Sequence, residues 1–128
     1  MNIPSDLKYT KNDEWVRVEG DTATTGVSDY AQNALSDIVY VELPAVGNSF
    51  KQGESYGSVE SVKAASDVYL PVGGTITAIN DALASTPEVV NGDPYVAGWM
   101  VKFTLSDPAE LNALMDAAAY AKYCEERK

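Results

Sequence analysis

Histidine is absent from this 128-residue chain. Its absence removes every Ser-His and Cys-His pair, every HExxH motif and the commonest neutral metal ligand. Basic residues are scarce as well: nine Lys plus Arg stand against nineteen Asp plus Glu, a formal charge of −10 with a pI near 4.2. Phosphate contact needs a basic face, so nucleic acid is not an expected partner, and an acidic membrane surface would repel the chain. Cysteine occurs once, as Cys124, so no disulfide forms within the chain, and the residue reads as a small apolar filler in a helical run. No apolar stretch approaches the ~20 residues of a membrane span. The start, Met1-Asn2-Ile3-Pro4-Ser5-Asp6, lacks the basic and apolar zones of a secretory signal. The expected compartment is a reducing cytoplasm, or a mitochondrion if an import segment has been removed. Neither GxGxxG nor GxxxxGK occurs, which argues against a nucleotide binder.

What is present is material for one domain, residues 1–128, with 45% apolar residues. From about 8 to 105 the chain runs in short alternating segments separated by turn residues. Glu14–Glu19 and Thr22–Val27 flank Gly20-Asp21 and predict a hairpin. Ile38–Leu43 stops at Pro44, and Tyr56–Val62, Gly74–Ile79 and Trp99–Leu105 read as further strands. Many short strands at close spacing predict a sandwich or barrel. Ser28-Asp29 caps a short helix through Tyr30 to Leu35. A C-terminal helical segment spans about 107–126, with Asp107 as N-cap, Pro108 in the first position and Glu110 in a capping box. Leu111, Leu114, Met115 and Ala118 fall at one helical stripe. Pattern leaves open whether Asp116 begins a second helix, and the tail Glu125–Lys128 is expected to fray. Leu43-Pro44-Ala45-Val46-Gly47 and Leu70-Pro71-Val72-Gly73-Gly74 form a weak repeat, offset by 27 residues. A duplicated half-sandwich places a hairpin turn between the copies.

That midpoint carries Glu60-Ser61-Val62-Lys63-Ala64-Ala65-Ser66-Asp67. Between Gln52 and Val101 there are six carboxylates and a single basic residue, Lys63. Small neighbours leave its amine clear, and Glu60 and Asp67 bracket it. A lone lysine is normally a solvated surface charge. A Schiff-base role needs a lowered pKa, and nearby carboxylates act the other way. Display of the lysine for acylation by another enzyme, with the acidic bracket as recognition surface, fits the pattern.

The octapeptide around Lys63 resembles the lipoylation motif of the glycine cleavage system H proteins. Further matches are Gly26-Val27, Asp29-Tyr30-Ala31-Gln32, Asp37-Ile38-Val39, Val41-Glu42-Leu43-Pro44 and Val46-Gly47. They continue with Asn80, Ala82-Leu83, Pro87-Glu88, Val90-Asn91, Asp93-Pro94-Tyr95 and Gly98-Trp99. The resemblance covers about 7 to 120. It departs at Asp13, where the family usually has histidine before Glu-Trp, and at Tyr30, which is sometimes histidine there.

The resemblance implies a mainly β fold, a lipoyl-domain-like barrel-sandwich hybrid of two antiparallel sheets with a short internal helix and the C-terminal helical segment. Such a sandwich is expected to bury Val39, Val41, Val59, Ile76 and Ile79, with Trp15, Trp99, Phe103 and Tyr40 as core and edge packing. The implied role is a non-catalytic carrier with lipoate in amide linkage to Lys63, giving an arm of roughly 14 Å. It would take an aminomethyl group from the pyridoxal-phosphate glycine dehydrogenase (decarboxylating) and deliver it to the tetrahydrofolate-dependent aminomethyltransferase. The FAD enzyme dihydrolipoyl dehydrogenase would reoxidise the arm, and a lipoate ligase or lipoyl/octanoyl transferase would attach it. Glu60 and Asp67 are then read during lipoylation. Glu14 and Asp13, with Asp67, are candidate contacts for the docked, loaded arm. The high acidity suits fast, salt-sensitive encounters with several partners. A carrier for another enzyme system, a relay of lipoate to other carriers, and a scaffold with unmodified Lys63 are the competing readings. A biotin carrier would place methionines where Val62 and Ala64 stand.

Overall fold

Alternation along the chain becomes strand pairing in the computed structural model, which describes residues 1–127. The elements are β1 (Lys8–Tyr9), β2 (Glu14–Glu19), β3 (Thr22–Val27), α1 (Asp29–Leu35), β4 (Ile38–Glu42), β5 (Ser49–Phe50) and β6 (Ser55–Ser61). There follow β7 (Ala65–Tyr69), β8 (Gly74–Ile79), α2 (Ala82–Ser85), α3 (Val89–Gly92), β9 (Val101–Leu105), a 3-10 segment (Pro108–Ala113) and α4 (Ala117–Glu126). All pairings are antiparallel. One sheet runs in the order β1-β2-β3-β9-β8-β5 and the other in the order β4-β6-β7.

The weak repeat has a structural meaning. Its first copy leaves β4 toward β5, and its second leaves β7 into β8. Both therefore cross from the three-stranded sheet to the six-stranded one, where β5 pairs β8 through Ser49 opposite Thr75 and Phe50 opposite Gly74. Gly74 is required by close approach, because a Cβ there would sit 2.3 Å from the Thr104 carbonyl oxygen.

The facing sides of the sheets supply the main core, in which Val41, Val59 and Val68 of the small sheet are buried with Val16, Ala23, Ile76 and Phe103 of the large one. Each such aliphatic or aromatic side chain contributes about 1.5–3 kcal/mol on burial. Ile79 is only half-buried against this core. Val39 departs from expectation and is 53% exposed. A bulge between Ile38 and Tyr40 shifts the register on β6, so Ile38 takes the inward place and Val39 and Tyr40 both face out. Trp15 and Phe103 are buried, Trp99 is half-buried, and Tyr40 is not a core residue.

α1 begins as the sequence predicts, with Ser28 Oγ accepting from the Ala31 amide. Asn91 then holds its exit: Oδ1 accepts from the Ile38 amide and Nδ2 donates to the Ser36 carbonyl. The C-terminal segment corrects two expectations. Asp107 does cap it, accepting from the Ala109 amide. Glu110, however, accepts from the Gly73 amide at 2.8 Å and forms no capping box. The single apolar stripe is interrupted as well. Met115 pairs with Tyr9 of the edge strand β1 through two backbone bonds of 2.8 and 2.9 Å, and Asp116 caps a new helix, α4. Two ladder bonds to an otherwise open edge outweigh helix continuation at that point. α4 packs on β1, where Tyr9 and Tyr120 stack at 4.5 Å beside buried Cys124. The described tail is anchored rather than frayed, because Arg127 is ion-paired; Lys128 lies outside the described residues.

Candidate functional site

The β6–β7 connection is built from local bonds. Glu60 opposite Ala65 is the last paired position, leaving Ser61 to Ala64 as the turn. The Ser61 amide donates to the Ala64 carbonyl at 2.8 Å, and the Val62 amide donates to the Asp37 carbonyl at 3.0 Å. Ser61 Oγ accepts from the amides of Lys63 and Ala64, both at 3.1 Å, and its hydroxyl donates to the Ala64 carbonyl. All four amides are thereby satisfied, as a short hydroxyl side chain allows in a turn. Lys63 projects into solvent, and Nζ makes one long hydrogen bond of 3.4 Å to the Ala34 carbonyl. Among the described residues no carboxylate pairs with it.

Glu60 and Asp67 lie on the solvent face of the small sheet. Tyr40, Glu60 and Ala65 form one row across the three strands, and Glu42, Ser58 and Asp67 form the next. The bracketing carboxylates are therefore neighbours of the lysine turn without touching the ammonium.

Farther along β7 lies a cavity of about 210 Å³, lined by Tyr9, Thr10, Glu14, Tyr69, Leu70 and Met115 among others. Glu14 is 1% exposed. Its Oε1 accepts from the Thr10 hydroxyl at 2.7 Å and its Oε2 from the Tyr69 amide at 3.1 Å. Burial dominates its titration and pushes the carboxyl up to about 7, against the lowering effect of those two bonds. A buried carboxyl poised near neutrality, in a partly apolar hollow, suits a small cationic group.

Asp13 adjoins Glu14 in sequence but is committed elsewhere. Its backbone is left-handed at φ 65°, which aspartate tolerates better than most residues. Its carboxylate accepts from the Tyr120 hydroxyl at 2.8 Å and from both terminal nitrogens of Arg127. The guanidinium lies 4.1 Å from the Tyr30 ring and 4.0 Å from the Tyr123 ring. This clasp ties α4 and α1 to the loop that delivers Glu14.

The model of one protein family, Glycine cleavage H-protein, matches residues 7–127. The chain belongs to that family. It is 56% identical over 126 residues to the Glycine cleavage system H protein of Halothermothrix orenii, covering 98% of each chain. It is 57% identical over 122 residues to the protein of that name from Laribacter hongkongensis, covering 94% of this chain and 96% of the other. The mitochondrial H protein 2 of Arabidopsis thaliana is 51% identical over 124 residues, with 97% of this chain and 80% of that one covered. The crystal structure of the Mycobacterium marinum H protein superposes with a TM-score of 0.83 at 35% identity, covering 94% of this chain and 98% of that one.

Asp13 and Tyr30 both converge on Arg127, as its anion and as a ring on its guanidinium face. Sequence reasoning missed Arg127, Thr10 and Ser61. A serine two residues before an exposed turn residue was a legible signal for Ser61. Nothing in the local sequence marks Arg127, whose partner lies 114 residues away.

Proposed function

We propose that this chain is the lipoyl carrier of the glycine cleavage system, a single non-catalytic domain shuttling the aminomethyl group of glycine on a lipoyl-lysine arm. It would run from the decarboxylating glycine dehydrogenase to the aminomethyltransferase, with dihydrolipoyl dehydrogenase as third partner. When bound, lipoate supplies a dithiolane that takes up and releases the aminomethyl group; the rest of the chemistry belongs to partner enzymes. The compartment would be the cytoplasm, or the mitochondrion in an imported form.

The observation that carries this reading is the exposed Lys63 amine, without an ion pair among the described residues, on a turn whose backbone amides are all satisfied. Acylation by a lipoate ligase or lipoyl/octanoyl transferase then breaks no ion pair and disturbs no fold. Glu60 and Asp67, exposed beside the turn, are the side chains that enzyme would read. From Ala65 to Tyr69, β7 spans about 13 Å at strand rise, close to the reach of an acylated lysine. Glu14 stands at the far end of that track and would hold the cationic amine, with Asp67 on the way. Asp13 contributes by fixing the loop through Arg127.

Coexpression with a lipoylating enzyme, followed by intact mass and peptide mapping, tests the first step. One lipoyl increment on Lys63 is expected, and modification at Lys51 or Lys102 refutes the assignment. Glycine–bicarbonate exchange with the loaded protein and a glycine decarboxylase tests the second, and its absence refutes the carrier role in this system.

A further inference from the structure

The three-stranded sheet buries one face and leaves the other bare. At the end that carries Lys63, apolar surface accumulates there: Val39, Tyr40 and Val62 are 53, 50 and 65% exposed. The bulge in β4 is the cause for Val39, since regular pairing would turn alternate residues inward. Around this apolar patch the charges have one sign. β4, β6 and β7 contain no Lys or Arg, and Glu42, Glu60 and Asp67 all stand on the outer face. Lys63, on the β6–β7 turn, places its ammonium at the rim.

We propose that this face is a docking surface for a protein with a basic contact face and an apolar hollow that receives Tyr40, and that acylation of Lys63 strengthens the docking. The occupant is the decarboxylating partner, so the inference rests on the carrier reading above. Tyrosine is enriched among the residues that dominate interface energetics, while rim charges set encounter and salt dependence. Acylation from an activated acyl donor forms the Nζ–carbon amide bond, expels the donor's leaving group and releases the ammonium's excess protons to solvent. Three carboxylates with one ammonium, a local charge of −2, become three carboxylates alone, −3. A basic partner surface thus meets a more favourable face on the acylated carrier than on the unmodified one. The discrimination precedes any contact with the arm's reactive end.

The test measures glycine–bicarbonate exchange by a pyridoxal-phosphate glycine decarboxylase with lipoylated protein as the varied component. Tyr40→Ser should raise the carrier's KM more than fivefold. Glu42→Gln should raise it roughly two- to fourfold at low salt, and the difference should vanish at about 0.5 M salt. Glu19→Gln, exposed on the other sheet, serves as the control. In a second arm, unlipoylated wild type and Lys63→Gln compete with the loaded carrier. Lys63→Gln, a neutral stand-in for the acylated side chain, should inhibit several-fold better at low salt and equally at high salt. Failure of exchange with loaded wild type overturns the carrier reading and this one together. Exchange with unchanged KM in both face variants overturns the docking surface alone. Equal inhibition at low salt overturns the charge-based reading of acylation.

Discussion

At the Lys63 turn, every amide from Ser61 to Ala64 is answered within the turn or by Asp37, the residue before β4. The Glu14 carboxylate, by contrast, is held by Thr10 and by Tyr69, 55 residues away, in a hollow that Leu70 and Met115 also line. The first region is mostly local, exposed and, among the described residues, free of ion pairs. The second is assembled from distant segments and braced by the Asp13–Arg127 clasp. On the carrier reading proposed above, the difference suits two tasks. A handle presented to other enzymes needs a firm backbone and an open side chain. A shelter for a labile group needs walls, and no single short segment of chain encloses a volume.

Removing the handle gives the largest effect. Lys63→Arg keeps the charge but cannot form the lipoyl amide, so no mass increment and no carrier activity are expected, with an unchanged melting curve. Residual activity would break the contrast, since it would mean that another lysine can serve.

At the other region the expected losses are of stability. Arg127→Ala leaves Asp13 half-buried with only Tyr120 and removes the guanidinium between two rings. A loss of about 2 kcal/mol is expected, seen as a fall in melting temperature of roughly 8 °C. An unchanged melt would show that the clasp does not brace the pocket loop.

Glu14 sharpens the comparison through pH. Its folded carboxyl titrates near 7, above the ordinary 4.5, so between those values the native state binds more protons than the unfolded chain. Its contribution is least unfavourable below pH 4.5, and stability falls as pH rises toward 7. Glu14→Gln removes that slope. Thermal melts should match wild type near pH 4.5 and exceed it at pH 8 by about 3 kcal/mol. The same variant should hydrolyse its aminomethyl adduct faster at pH 8. In wild type the protection should fade as acidification neutralises Glu14. Equal hydrolysis rates in variant, wild type and denatured control would remove Glu14 from the docking role.

The smallest stability effects belong to the exposed carboxylates. Glu60→Gln and Asp67→Asn should stay within ~0.5 kcal/mol of wild type in denaturant melts, yet slow lipoylation in a timed mass assay. A large loss of stability in either would make that residue part of the framework and erase the distinction between the regions.

Legibility in the sequence follows the same division. Hairpins, caps at Ser28 and Asp107, and the Lys63 turn are readable because most of their bonds lie within a few residues. The outward Val39 is not, because a bulge is decided by the partner strand. Glu110 departs from its expected capping box for a related reason: the Gly73 amide, 37 residues back, competes with its own helix start. Asp13 reads in the sequence as a candidate contact for the docked arm; in the fold its carboxylate is bonded to Tyr120 and Arg127, from a left-handed backbone.

By itself, then, the order of residues determined the strand periods, the turn that displays a lone lysine and the surplus of negative charge, since these depend on side-chain type and short-range spacing. Tertiary structure alone decided which carboxylate is buried and poised near neutrality, which one is spent on Arg127, and which face of the small sheet stays bare. Those outcomes depend on desolvation and on partners brought close by packing, and neither quantity exists until the chain has folded.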